Sequence, residues 1–180
     1  MKKPILKKSR TVYRNPFMSI TAETLAWPER KRLADFYLFE FTDWVNVLPI
    51  TPNGRFVMIR QYRHGSGEFT WEVPGGTMDK KERSPLKTAK RELEEETGYT
   101  AKRWKSLGSF SPNPAVQRNQ MHFFLALDAT LTGKTNFDED EDIETALLPA
   151  SRVYAMLKKG QIAHSLSALC IYRALETLKH

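Results

Sequence analysis

The 180-residue chain is 41% hydrophobic and 11% aromatic, enough to fill one good core and slightly long for a single typical domain. No apolar run approaches the roughly 20 residues of a membrane helix, and the N-terminus lacks the apolar core of a secretory signal, so a cytoplasmic protein without a membrane partner is expected. The net charge of +7 does not describe a nucleic-acid-binding face, because Lys2, Lys3, Lys7, Lys8, Arg10 and Arg14 contribute +6 before the first acid, Glu23. The rest of the chain is close to neutral, and the basic tail reads as a loosely ordered arm that aids solubility. The single cysteine, Cys170, excludes an internal disulfide and, set in LSALCIYRALETL, reads as a buried thiol.

Residues 9–45 read as several short extended pieces, with WPERKRLAD as a polar turn between them. Trp44 to Thr51 is apolar and β-branched, as a buried strand requires. Pro52-Asn53-Gly54 supplies turn chemistry before the strand RFVMIRQYR, so the two strands are expected to form a hairpin. A glycine-rich stretch and one helix follow, then the strands WKSLGSF and MHFFLALDAT. Ser111-Pro112-Asn113-Pro114 must be a loop between these two, since proline lacks the ladder donor. The acidic loop FDEDEDIE leads to two closing helices, Ser151 to Lys159 and Ser165 to Leu178. The class is α/β, a mixed sheet carrying helices on its faces.

The central helix is bounded by Ser84 as N-cap, Pro85 at the first helical position and Gly98 after the last turn. At about 100° per residue, Ala89, Leu93 and Leu86 form a narrow apolar arc, with Glu92, Glu96 and Glu95 as an acidic arc beside it. Glu94 points away with Lys87 and Lys90. Like charges at i,i+4 on the edge of a core are not a choice that stability makes. Arg91 reaches Glu95 at i+4, which leaves Glu92 and Glu96 as an unpaired carboxylate pair whose hard oxygens suit Mg²⁺ or Mn²⁺.

Gly76, followed by Arg91-Glu92-Leu93-x-Glu95-Glu96-x-Gly98-Tyr99, resembles the Nudix box of hydrolases that act on nucleoside diphosphates linked to another moiety. The family pattern is Gly, five residues, Glu, seven residues, then Arg-Glu-apolar-x-Glu-Glu-x-Gly-apolar. Here Glu82 follows Gly76 after five residues, but eight residues separate it from Arg91. Counted from the helix the position holds Arg83, and counted from the glycine it holds Glu82. VNVLPIT, IRQYRHG, WEVPGG, SPNPAVQRNQMHFFLA and DEDEDIE are similar to the branch that hydrolyses ADP-ribose and nucleotide sugars.

The resemblance implies an α/β/α sandwich with a mixed sheet over residues 44–180. It makes residues 1–43 a basic tail and small N-terminal antiparallel β extension that packs or exchanges across a homodimer. It implies metal ligation by the Gly75 carbonyl, Glu92, Glu96, Glu95 and Glu82, with Mg²⁺ as the cofactor and Mn²⁺ as its substitute. Arg91 and Glu95 belong to the catalytic set, and the general base falls on Glu141 or Glu139 in the acidic loop. Arg63 is expected to pair with the diphosphate, Gln61 and Glu72 to hold the base or ribose, and Trp71 and Phe69 to stack on the base. His64, His122 and His164 show no metal spacing and read as structural. The implied reaction cleaves a nucleoside diphosphate sugar to a nucleoside monophosphate and a sugar phosphate. Two alternatives stay open: a Nudix pyrophosphohydrolase of nucleoside triphosphates, dinucleoside polyphosphates or RNA 5′ ends, and a non-catalytic module that binds a nucleotide sugar. The near-neutral body of the chain weighs against nucleic acid.

Overall fold

A computed structural model describes residues 2–133, 135–136 and 142–179. The chain forms two compact units, Met1–Asp43 with Phe110–Gln120, and Trp44–Ser109 with Met121–His180.

The first unit is an antiparallel sheet of β1 (Ile5–Arg14), β2 (Ser19–Trp27) and β3 (Arg32–Glu40), with a 3-10 turn at Pro28–Arg30. The N-terminal segment is therefore a strand and not the loosely ordered arm expected from its charge. Its alternation of cations with Ile5, Leu6, Val12 and Tyr13 gives way to pairing with β2, although every residue of β1 stays exposed. The segment Phe110–Gln120 joins this unit through Phe39 N–H, which donates to Val116 O at 2.7 Å. Arg118 adds ion pairs to Glu23 at 2.7 Å and to Glu40 at 2.9 Å. No local pattern in residues 110–120 announces that association.

The second unit carries a seven-stranded mixed sheet built from β4 (Trp44–Ile50), β5 (Arg55–Arg63), β6 (Glu68–Glu72), β7 (Gly75–Thr77), β9 (Arg103–Phe110), β10 (Met121–Leu127) and β12 (Ile143–Pro149). A two-stranded ribbon joins β8 (Tyr99–Thr100) to β11 (Thr130–Leu131). The helices α1 (Pro85–Thr97), α2 (Ala150–Lys158) and α3 (Ser165–Thr177) pack on this sheet, α1 against β4 and β7, α2 against β12, and α3 against β4 and β10. The architecture is an α/β/α sandwich with a small N-terminal antiparallel sheet. Among the described residues no helix is long and apolar enough to cross a membrane.

Strand β12 was not expected. The acidic run before it masks a period-2 segment, IETALLP, which pairs antiparallel with β5 from Ile143–Gln61 to Pro149–Arg55. The acidic loop therefore ends before Ile143.

One feature of the sheet creates the site. The turn at Pro52-Asn53-Gly54 closes a hairpin, in which β4 and β5 pair at Ile50 and Phe56. Beyond that pair, β6 takes the edge of β5 from Ile59–Glu72 outward, and β7 takes the edge of β4 from Asn46–Gly75 to Trp44–Thr77. Val73 and Pro74 carry the chain across the wedge so formed, and Pro74 O accepts from Val47 N at 2.9 Å.

Helix α1 lies against the wedge. Ala89 and Leu93, both fully buried, join Val45, Val47, Met78, Phe124 and Ala126 in one apolar cluster. Truncating Leu93 there would cost about 2–5 kcal/mol. Ser84 Oγ accepts from Lys87 N–H at its N-terminus, and Gly98, at φ 71°, ends it with an N–H to Glu94 O. A Cβ on Gly98 would stand 2.7 Å from Gly133 O, because Thr132 and Gly133 fold back to donate to Gly98 O.

Candidate active site

The wedge brings Gly75 and Gly76 of β7 against the acidic face of α1. Gly75 N–H donates to Glu96 Oε2 at 2.8 Å. A Cβ on Gly76 would lie 2.6 Å from Cδ of Glu92, so the glycine is what leaves room for that carboxylate. Glu96 is 3% and Glu92 8% exposed, whereas Glu94 faces solvent, as the helical phase requires.

Arg91 binds this acidic face together. Its guanidinium reaches Glu95 at 2.7 Å, Glu92 at 2.9 Å and Glu82 at 3.6 Å, and it also donates to Thr77 O at 3.4 Å. Burial opposes the cation, but the Glu95 hydrogen bond and the charges of Glu92, Glu95 and Glu82 hold its pKa above the ordinary value. The expectation of an unpaired Glu92 and Glu96 is corrected here. Arg91 turns back to its sequence neighbour Glu92 as well as to Glu95, and the Gly75 amide engages Glu96, a contact that no helical spacing reveals.

The extra residue between Glu82 and Arg91 is absorbed in a turn. Glu82 N–H donates to Asp79 O at 2.9 Å, and Glu82 Oε2 accepts from Thr88 Oγ1 at 2.7 Å and Asp79 N–H at 3.3 Å. The Thr88 hydroxyl is the largest of the influences that hold the Glu82 carboxyl below its usual range. Arg83 is exposed, so of the two alignments the one counted from Gly76 puts its residue beside Arg91.

A second cluster lies on β5 and β6. Glu72, 1% exposed, accepts from Arg63 Nε at 2.8 Å and Nη2 at 2.7 Å, from the Thr70 hydroxyl, and from His164 Nδ1 at 2.9 Å. Burial pushes its carboxyl up, but Arg63, His164 and Thr70 together draw it down to about 2. Glu72 is thus enclosed by Arg63 and by His164, the N-cap residue of α3, and Arg63 is the exposed member of the Arg63–Glu72 pair. The His164 contact is one that sequence spacing misses, since 91 residues separate it from Glu72.

Trp71 alternates with Thr70 and Glu72 and so points to the opposite face of β6. There it lines a cavity of about 370 Å³ with Arg152, Ala155, Met156, Lys159 and Gln161. Gln61 shares the face of Glu72, in register with Thr70. Among the described residues, Gln61 Nε2 and Asn46 Nδ2 are buried donors without a hydrogen-bond partner, and each suits an acceptor atom of a ligand or a bound water. Glu139 and Glu141 lie outside the described residues.

Among the described residues no three His, Cys, Asp or Glu side chains converge as a metal-ligand set. Two nearly buried carboxylates, Glu92 and Glu96, nevertheless form a hard-oxygen pair of the kind that suffices for Mg²⁺, which keeps waters and takes substrate phosphate oxygens as its other ligands.

Four matches to known proteins bear on this arrangement. The NUDIX domain family model matches residues 41–168. The chain is 33% identical over 141 residues to an ADP-ribose pyrophosphatase of Bacillus subtilis (strain 168), covering 75% of this chain and 76% of that protein. It is 35% identical over 141 residues to a methanol dehydrogenase activator of Bacillus methanolicus, covering 76% and 75%. A crystal structure of an ADP compounds hydrolase superposes with a TM-score of 0.86 over 99% of this chain and 96% of that one, at 22% identity, which speaks for the fold. The glycine pair, the Arg91-centred acidic face and the span of these matches agree, and the chain belongs to the NUDIX family of pyrophosphohydrolases, on the branch of the ADP-ribose pyrophosphatases.

Proposed function

We propose that the chain hydrolyses the pyrophosphate bond of ADP-ribose or a related nucleoside diphosphate sugar, releasing a nucleoside monophosphate and a sugar phosphate. The observation that carries this reading is the pair of nearly buried carboxylates, Glu92 and Glu96, set beside Gly75 and Gly76 at the wedge. Their hard carboxylate oxygens suit a divalent cation that takes its remaining ligands from water and substrate phosphate. The name of the Bacillus subtilis relative supports ADP-ribose as substrate.

A divalent ion, Mg²⁺ with Mn²⁺ as a substitute, would be held by Glu92, Glu96, Glu95 and the Gly75 carbonyl, with Glu82 at the margin. When bound, it neutralises the phosphate oxygens and acidifies a bound water. The other steps belong to side chains. Arg91 keeps Glu92 and Glu95 in place. Arg63, whose side chain is 45% exposed, pairs with the diphosphate, since planar donors match two phosphate oxygens. The Gln61 amide, a buried donor awaiting an acceptor, fits the base or ribose. Glu141 takes the proton of the attacking water, with Glu139 as the second candidate. Glu72 acts behind Arg63, and Trp71 faces the other side of β6.

The same reading makes the protein a cytoplasmic homodimer that pairs through its N-terminal sheet. The exposed apolar residues of that sheet, among them Ile5, Leu6, Tyr13, Leu33 and Tyr37, support the dimer. The test is product release from ADP-ribose, GDP-mannose, UDP-glucose, diadenosine polyphosphate and nucleoside triphosphates, with Mg²⁺ and with chelator. Metal-dependent cleavage confined to the diphosphate sugars is expected. Preferential cleavage of triphosphates or dinucleoside polyphosphates would move the substrate, and binding of a nucleotide sugar without any cleavage would make the chain a binding module.

A further inference from the structure

The Arg63–Glu72 pair has a third member that neither strand supplies. His164 occupies the N-cap of α3, yet its side chain makes no capping bond to that helix. Its Nδ1 stands 2.9 Å from Glu72 Oε2 and 2.9 Å from Ser167 Oγ, and Ser167 Oγ in turn accepts from Val73 N–H at 3.3 Å. A lone pair on Nδ1 would confront the carboxylate oxygen, so this nitrogen carries a hydrogen. Each Glu72 oxygen then receives two donors: Oε1 from Arg63 Nε and Thr70, Oε2 from Arg63 Nη2 and His164.

The geometry of the strands explains why the pair needs holding. Arg63 is paired with Glu68, whereas Glu72 is paired with Ile59, four residues back along β5. At about 3.3 Å per residue those backbone positions are about 13 Å apart, so the Arg63 side chain must lie back along the strand to reach Glu72. A long side chain that is 45% exposed gains rotamer freedom by swinging into water. What opposes this is a carboxylate fixed in one orientation. Thr70 holds one oxygen from within β6, and His164 holds the other from α3.

We propose that His164 is a positioning residue, which acts through Glu72 to hold the Arg63 guanidinium in the orientation that meets the substrate diphosphate. Removing the imidazole leaves Oε2 with Arg63 as its one strong partner, and the carboxylate is free to turn with the guanidinium. The inference rests on the reading above that Arg63 contacts the diphosphate, and the positioning itself is separately measurable.

The test compares wild type, His164→Ala and His164→Asn, because the Asn amide nitrogen falls where Nδ1 lies and can donate to Glu72. The first readout is hydrogen exchange of the Arg63 Nε–H by nitrogen-edited NMR, assigned with Arg63→Lys. His164→Ala is expected to exchange at least about tenfold faster, with KM for ADP-ribose raised about tenfold and kcat within about twofold. His164→Asn is expected to recover both. Unchanged exchange in His164→Ala overturns the proposal, as does an equal loss in both variants tracking a lower melting temperature, which would make His164 merely structural. If wild type cleaves no diphosphate sugar, the functional reading fails, while the exchange contrast still decides whether His164 holds Arg63. Should His164→Ala fail to fold, His164→Gln, whose donor falls at the Nε2 position, supplies the contrast with His164→Asn.

Discussion

The α-carbon of Gly76 lies against the carboxylate of Glu92, where a Cβ would come within 2.6 Å of Cδ. Its neighbour Gly75 is crowded differently, since a Cβ there would come within 2.1 Å of Val45 O and 2.9 Å of Asn46 Cα. A carboxylate at the end of a flexible side chain can move aside, but strand backbone cannot. Gly76→Ala is therefore expected to keep its melting temperature within a few degrees while weakening metal-dependent turnover at least about tenfold. Gly75→Ala should lose about 1–3 kcal/mol of stability by thermal or denaturant unfolding. Equal melting temperatures for both variants would contradict this assignment.

Arg91 is the cation among three carboxylates, at 2.7 Å from Glu95, 2.9 Å from Glu92 and 3.6 Å from Glu82. Arg91→Ala leaves them to repel one another, at a cost of roughly 1–3 kcal/mol in chelator. Added Mn²⁺ should restore more stability to this variant than it adds to wild type, because it supplies the missing positive charge. An identical Mn²⁺ response in both proteins, read by calorimetry, would speak against a metal beside Arg91.

Glu72 imposes a pH dependence whose sign is fixed. Its folded pKa is about 2 against an ordinary 4.5, so its stabilisation is complete above the ordinary value and is lost as pH falls towards 2. That difference corresponds to roughly 3 kcal/mol. Glu72→Gln should show a shallower decline in unfolding free energy between about pH 5 and pH 2 than wild type. Parallel curves for the two proteins would mean that Glu72 is not held as described.

The two candidate bases separate by kinetics. Glu141→Gln is expected to lower kcat about 10²–10³-fold with little change in substrate affinity, as loss of a general base does. The same loss in Glu139→Gln, with Glu141→Gln near wild type, would move the assignment by two residues.

Local chemistry made much of this legible in the sequence. Ser84, Pro85 and Gly98 mark both ends of α1, and its helical phase separates Glu92 and Glu96 from Glu94. Contacts between distant segments carried no such signal. Gly75 reaches Glu96 because β7 replaces β5 on the edge of β4, and His164 reaches Glu72 because α3 begins beside β6. Strand β12 follows an acidic run that reads as loop, and the exposed β1 is held by backbone pairing with β2 despite its charge. The one-residue insertion before α1 left two alignments open at Glu82 and Arg83, because the position of Glu82 depends on a turn closed by Asp79 and Thr88.

The proposed role of Glu92 and Glu96 is to hold the metal of a pyrophosphohydrolase site. It is tested most directly by following AMP and ribose 5-phosphate release from ADP-ribose in Mg²⁺ for wild type and Glu96→Gln, with folding of both checked by thermal unfolding. Turnover by wild type that stops with chelator, and a folded Glu96→Gln variant reduced at least about 10²-fold, is the expected result. Full activity in Glu96→Gln, or wild-type turnover indifferent to chelator, would contradict it.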